Sequence, residues 1–358
     1  MRSFFNVQLR ARLAISRTLR PPLRRNAGFR GLALAIALLI APLPVLAQNA
    51  AIRDVDVQAS PIPNFRFGSS DTVFGALEFV GGLTMRSSDR EFGQMSGLRF
   101  LTPGKDFLGV ADHGYFVFGT IKRDAAMAPI GVERVRMHPI AGPGGQIIYE
   151  KEGKDAEGLS VHDGIATVAF ERLARVEQFR IDPMGMGGPI DSLDFLIPPA
   201  ELRYNQGLET IARAPDDSSL AGAMVVVAER SVDSSGNIFA AILDGPRRGI
   251  FKVVRSEDFD VTDGAFLPNG DLLLLERRLS AARGVGMRIR RVDGANIFSG
   301  ALIDGEVVLE ADLAYQIDNM EAMDVWQRAD GATMVSLMSD DNQSFLQRSL
   351  YLEFRLVE

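Results

Sequence analysis

The chain has 358 residues, 46% of them hydrophobic, with 39 Lys and Arg against 46 Asp and Glu for a formal charge of −7. It contains no cysteine, which excludes disulfides, thiolate chemistry and cysteine-ligated metals. That length suits two domains, or one domain if the fold is all-β or built of repeats.

Residues 1–47 differ from everything after them, with eight arginines and no acid. An apolar run, Gly31–Ala41, is followed by Pro-Leu-Pro and by Val45-Leu46-Ala47. A basic flank, an apolar core and a small-x-small end predict a secretory signal cleaved after Ala47, and so a periplasmic or secreted protein. The alternative is an uncleaved anchor, which the short, proline-flanked run disfavours against the roughly 20 residues of a full span. Losing the leader takes the formal charge to −15. Such a surface repels nucleic acid and anionic lipid and suits calcium, or a substrate whose charge a metal or local arginines offset.

Residues 48–63 are polar with prolines and are expected to be a linker; residues 64–358 are expected to form one domain. Ala76–Val80, Ile165–Phe170, Met224–Ala228, Leu272–Leu275, Val307–Leu309 and Leu350–Leu356 are short apolar runs bounded by turn residues, as strands are. Helical periodicity is scarce, apart from room for one turn in Leu193–Asn205. In Val261–Arg278, Pro268-Asn269-Gly270-Asp271 joins two strands, with Asp263 near the start of the first and Glu276 at the end of the second. The unit recurs. Ser96-Gly97 leads to Asp112-His113, Asp155-Ala156-Glu157-Gly158 to Glu171-Arg172, Asn205-Gln206-Gly207-Leu208-Glu209 to Glu229-Arg230, and Asp318-Asn319-Met320-Glu321 to Asp340-Asp341-Asn342. Copies start roughly 50–60 residues apart, the spacing of propeller blades. Five copies, with N- and C-terminal strands left over to pair and close the ring, predict an all-β, single β-propeller of about six blades.

A hairpin brings its opening and closing residues to one edge, so a ring of hairpins collects them at one mouth. Carboxylates confined together need protons or a cation, and oxygen donors suit calcium, magnesium or manganese rather than zinc. The expected metal ligands are Asp112, Glu157, Glu209, Glu276, Glu321, Asp340, Asp341 and Asn342, with Asp263, Asn205 and Asn319 in the same collected set. Any one of these could instead cap a hairpin, bond a backbone amide or pair with an arginine. Glu171 and Glu229 are candidate general bases. Arg172, Arg230 and Arg277 follow closing acids and can either tie blades together or fork a phosphate or carboxylate. His113, beside Asp112, is a further candidate base; His138 and His162 read as loop residues. The chain has no Gly-x-Ser-x-Gly elbow, phosphate-binding glycine loop or Rossmann fingerprint.

These residues resemble the esterase-like phytase family of exported bacterial proteins over nearly the whole mature chain. The resemblance rests on Asp155-Ala156-Glu157-Gly158-Leu159, Phe170-Glu171-Arg172, Asn205-Gln206-Gly207-Leu208-Glu209, Leu275-Glu276-Arg277-Arg278 and Asp318-Asn319-Met320-Glu321. Its most specific part is Ser339-Asp340-Asp341-Asn342 with the segment 347–356. It implies a β-propeller and a hydrolytic activity on esters or phosphoesters. The chain departs from the family pattern at His113 (an arginine is usual), Ala322 (a glycine) and Gln343 (an aromatic). Two readings follow. One is a calcium-dependent hydrolase, monomeric, acting on a small-molecule ester or phosphoester with no nucleic-acid partner and no membrane contact after leader cleavage. The other is a non-catalytic binding or scaffolding propeller whose acids tie blades together.

Overall fold

The computed structural model describes residues 52–280 and 283–357, so the leader expected in residues 1–47 lies outside the described residues. Nearly every apolar run becomes a strand, and the strands form five sheets, each a blade with one strand innermost. Blade 1 runs inward to outward through Met95–Phe100, Asp106–Ala111, Tyr115–Arg123 and Pro129–Pro139, with Arg53–Asp54 at its edge. Blade 2 is Ala156–His162, Ile165–Phe170, Arg175–Arg180 and Asp191–Leu193. Blade 3 is Leu208–Arg213, Met224–Val232, Ile238–Ile242 and Gly249–Val253, capped in parallel by Leu302–Ile303. Blade 4 is Asp260–Phe266, Leu272–Ser280, Gly284–Val292 and Glu306–Asp312. Blade 5 joins Asn319–Gln327, Thr333–Asp340 and Ser349–Leu356 to Leu77–Ser87 and Val57–Ile62.

The fold is therefore all-β and a propeller, with five blades rather than about six. The N-terminal strands expected to supply a further blade lie in the same sheet as the fifth repeat: Leu77–Ser87 pairs antiparallel with Ser349–Leu356, Ser349 opposite Met85. Residues 53–62, expected as linker, supply edge strands to blades 1 and 5 instead. The helical turn allowed in Leu193–Asn205 is absent there; Lys151–Lys154 forms the single α-helical turn among the described residues. His138, expected in a loop, ends a blade-1 strand and is buried.

The described core divides into five apolar clusters, one between each pair of neighbouring blades. Alternate side chains of a strand therefore enter different clusters. Leu272 and Leu274 pack toward blade 3 and Leu273 and Leu275 toward blade 5, which is why this strand reads as an unbroken apolar run. The inner strands approach so closely that some positions admit only glycine. A Cβ on Gly158 would lie 2.5 Å from the Glu209 carbonyl of the next blade, and one on Gly97 would lie 2.8 Å from the Leu159 Cβ. This tight ring fixes where the inner-strand side chains point.

Candidate functional site

The site begins with a repeated irregularity. In all five blades the pairing of the first two strands slips by one residue near the start of the inner strand. The slip leaves Ser96, Glu157, Glu209, Thr262 and Glu321 without a partner across the ladder. A bulge of this kind re-aims the extra side chain, and Ser96, Glu157, Glu209 and Glu321 all line one central cavity. A second tier comes from the residue ending the second strand's run. Asp112, Glu171 and Glu229 donate their amides to Gln94, Asp155 and Gly207, while Arg277 and Asp340 sit opposite Asp260 and Asn319. All five members of this tier also line the cavity.

The cavity encloses about 330 Å³, and every residue lining it is polar or charged. Seven are carboxylates (the three Glu of the bulges with Asp112, Glu171, Glu229 and Asp340), faced by the cations Lys151, Arg172 and Arg277. Asn205, Gln206, Asn319 and Asn342 complete the wall. Arg277 reaches Glu229 and Glu321, each at 2.9 Å, and donates to Asn319 at 2.6 Å. Arg172 Nε lies 2.7 Å from Asp155, and Glu171 accepts the Gly207 amide across the blade 2–3 boundary at 3.1 Å.

Three residues past Ser96, roughly 10 Å further along the strand, the ring is plugged. Arg99 forks onto Asp263 at 2.9 and 3.1 Å and donates to backbone carbonyls of Leu98, Ile211, Gly264 and Met323, one from each of four blades. Asp324 lies 4.0 Å from the same guanidinium. The mouth is thus a cup, and this charge-paired plug lies outside its lining.

Burial is the largest influence on its acids, and neighbouring carboxylates add to it. Glu157 and Glu209 are pushed well above the usual carboxylate range, Glu171 to about 7 and Glu321 to about 8. Asp340 is raised to about 7, and Glu229 rises less because Arg277 opposes the shift. Two groups of three acids have oxygens within 4.8 Å of one another: Asp155, Glu157 and Glu171, and Glu171, Glu209 and Glu229. Glu171 belongs to both. These donors, all hard oxygens, fit a divalent cation of the calcium kind.

Four expected members lie elsewhere. Glu276 falls one residue short of the mouth position that Arg277 takes, so its side chain turns to the opposite face, where Arg288 and Arg290 bind it in a fully buried cluster. Asp263 is one residue past the bulge and faces Arg99 instead. Asp341 caps its own loop, accepting from Ser349 at 2.6 Å and from the Gln343 amide at 3.1 Å. Arg230 is exposed and nearest Asp260, at 3.6 Å. His113 stays beside the mouth without lining it. Its Nε2 meets the Glu91 carbonyl at 2.9 Å, its Nδ1 lies 3.4 Å from Asp112, and its ring packs on Tyr115. Ser96, Lys151, Gln206 and the axial Arg99 were not anticipated as site residues. Aligning the copies on the apolar residue before each bulge (Met95, Ala156, Leu208, Val261, Met320) would have revealed the tiers.

A propeller whose repeated bulges gather acids at one mouth is the class that fold and site define. Residues 90–343, well over half the chain, match the Phytase-like family, described as "Esterase-like activity of phytase", and the chain belongs to that family. No curated protein matches it. Among solved structures, an endo-arabinase from Bacteroides thetaiotaomicron is 10% identical with a TM-score of 0.45, covering 74% of this chain and 94% of its own. An α-L-arabinofuranosidase from Podospora anserina, in complex with cellotriose, is 12% identical with a TM-score of 0.45, covering 80% and 98%. Likeness at that level carries nothing about chemistry.

Proposed function

We propose that this chain is an exported, divalent-cation-dependent hydrolase of phosphate or carboxylic esters, working in the acidic cup. The observation that carries the reading is the convergence of seven carboxylates on three cations in one cavity, with two three-acid groups sharing Glu171. Such a set is strained electrostatically unless protons or a cation neutralise it. Glu171, Glu209 and Glu229 would hold the ion, with Asp155 and Glu157 as the adjoining group. When bound, the ion supplies Lewis-acid polarisation of the ester oxygen and a more acidic water.

The protein's own residues do the rest. Glu171 and Glu229, first candidates for the base, sit within the ligand groups, so the proton-accepting role passes to Glu321 or Asp340. Their raised pKa values of about 8 and about 7 let them trade a proton near neutrality. Arg172 and Lys151, on the same wall, can meet an anionic leaving group. The test is turnover of 4-nitrophenyl acetate, 4-nitrophenyl phosphate and phytate with calcium and with chelator, on the native chain and Glu209→Gln. Activity that chelator abolishes and the variant loses supports the reading. No turnover of any substrate, with a melting temperature blind to chelator, overturns it.

A second reading, a non-catalytic binding or scaffolding propeller, is favoured by the blade-to-blade bonds. Arg277 of blade 4 joins Glu229 of blade 3 to Glu321 of blade 5, and Glu171 of blade 2 holds the blade-3 backbone. The same assay decides against it if any ester is turned over.

A further inference from the structure

Glu171 and Arg172 have a second cavity on their other side. A groove of about 470 Å³ opens beside the cup, sharing these two residues and lined also by Leu173, Ala174, Pro199, Leu202 and Tyr204 and by Arg175 and Arg203. Its character is the reverse of the cup's. Leu173 and Tyr204 are 56% and 58% exposed, so an apolar side chain and a partly exposed ring, its hydroxyl donating to Glu152 at 3.4 Å, stand at the rim of a wholly polar cavity. The Arg172 guanidinium lies between the two spaces, 5.6 Å over the Tyr204 ring on one side and ion-paired with Asp155 on the other. Arg175 is committed to structure, paired with Glu177 at 3.1 Å and stacked on Phe170. Arg203 is not. It makes no ion pair among the described residues, and its side chain has one hydrogen bond, 3.4 Å to the amide oxygen of Gln206 on the cup wall. An exposed guanidinium without a carboxylate, next to an exposed ring and leucine, is complementary to a flat apolar group that carries an anion.

We infer that this groove is the substrate subsite adjoining the cup and that it takes an aromatic ring bearing a carboxylate, the ring against Tyr204 and Leu173 and the carboxylate on Arg203. Resting on the hydrolase reading, this deepens it. The ester bond sits over Glu171 and Arg172, where the two cavities meet, and the rest of the molecule extends into the groove. Substrates are then esters of hydroxyaryl carboxylic acids. A polyol polyphosphate has nothing to place against Leu173, Leu202 and Pro199.

Binding and turnover separate the two claims. 4-Hydroxybenzoate, the product-like half, is titrated calorimetrically into the intact calcium-loaded protein, with phenol as the uncharged control. Hydrolysis of 4-acetoxybenzoate, phenyl acetate and phytate is followed alongside. The expected result is saturable 4-hydroxybenzoate binding that weakens at least tenfold in Arg203→Ala and in Tyr204→Ala, two exposed positions whose loss leaves the core intact. Phenol should bind at least tenfold more weakly, and 4-acetoxybenzoate should have the highest kcat/KM of the three esters. If 4-hydroxybenzoate does not bind, or binds equally to the native chain and both variants, the groove is not this subsite. Binding that follows the expected pattern without turnover of any ester upholds the subsite and removes the hydrolase reading instead.

Discussion

Arg277 Nη2 of the fourth blade lies 2.9 Å from Glu229 Oε1 of the third, which puts a guanidinium at the one position of the second tier where the other blades place a carboxylate. Burial works against its charge, but Glu321 and Glu229 more than offset that and raise its pKa. A resident cation and a divalent ion repel each other within one cavity. Arg277→Gln is therefore expected to tighten calcium binding by about tenfold or more, a change of about 1.4 kcal/mol. It should also lower the melting temperature of the chelated protein, because Glu229 and Glu321 lose their partner. Calorimetric titration with calcium checks the first effect; an unchanged affinity would show that ion and arginine do not share the cup.

Glu276 and Glu209 look alike in the repeat and should behave oppositely. Glu276→Gln leaves Arg288 and Arg290 short of a buried countercharge and is expected to cost about 3 kcal/mol of stability, with calcium affinity unaltered. Glu209→Gln removes one of several crowded acids. It should weaken calcium binding by tenfold or more without lowering the stability of the chelated protein. Urea unfolding and calcium titration on both variants make the comparison, and a loss of calcium affinity in Glu276→Gln would contradict the observed register.

That contrast shows how far the residues alone could be read. The strand runs, the repeat and most of the cup (Asp112, Glu157, Glu171, Glu209, Glu229, Glu321, Asp340, Asn342) were legible because local turn chemistry marks the hairpins, and a hairpin brings the start of its first strand and the end of its second to one edge. Glu276 and Asp263 were misplaced because blade 4 carries its acids one residue out of step with the bulge, and a one-residue offset exchanges the faces of a strand. The blade count failed for a different reason. Leu77–Ser87 does pair with Ser349–Leu356, but Ser349–Leu356 also pairs with Thr333–Asp340, so the terminal strands extend the sheet of the fifth repeat and add no sixth blade. Arg99 was passed over because its partners are backbone carbonyls from four blades, invisible in any local window.

The Arg99–Asp263 pair is expected to be a stability element rather than part of the cup. Both side chains are buried, and the guanidinium has no water to fall back on if its fork is lost. Asp263→Asn should destabilise by about 3 kcal/mol, moderated by Asp324 4.0 Å away, while calcium affinity moves less than threefold. Chemical denaturation and calcium titration test this together. A large affinity loss at full stability would place Asp263 in the ion site after all.

The acids of the cup also fix the sign of the pH response without metal. Glu171, Glu321 and Asp340 have folded-state pKa values of about 7, about 8 and about 7, above the ordinary 4.5 of Glu and 3.8 of Asp. The folded state therefore holds more protons than the unfolded chain between those limits, and stability falls as pH rises through the window. It is fully present below about pH 4 and is lost progressively up to about pH 8. In chelator, the melting temperature is expected to drop by roughly 5–10 °C between pH 5 and pH 8. The acids titrate as a coupled set, so the fall should be broad rather than stepped. On the proposed reading, calcium would replace the protons as the compensating charge. Adding it should restore most of the loss at pH 8, do little at pH 5, and release protons measurably in weakly buffered solution at pH 7. Scanning calorimetry across pH with and without calcium reads all three. A chelated protein that grows more stable from pH 5 to pH 8 would mean that the cup acids are already ionised, compensated by groups other than protons or an ion.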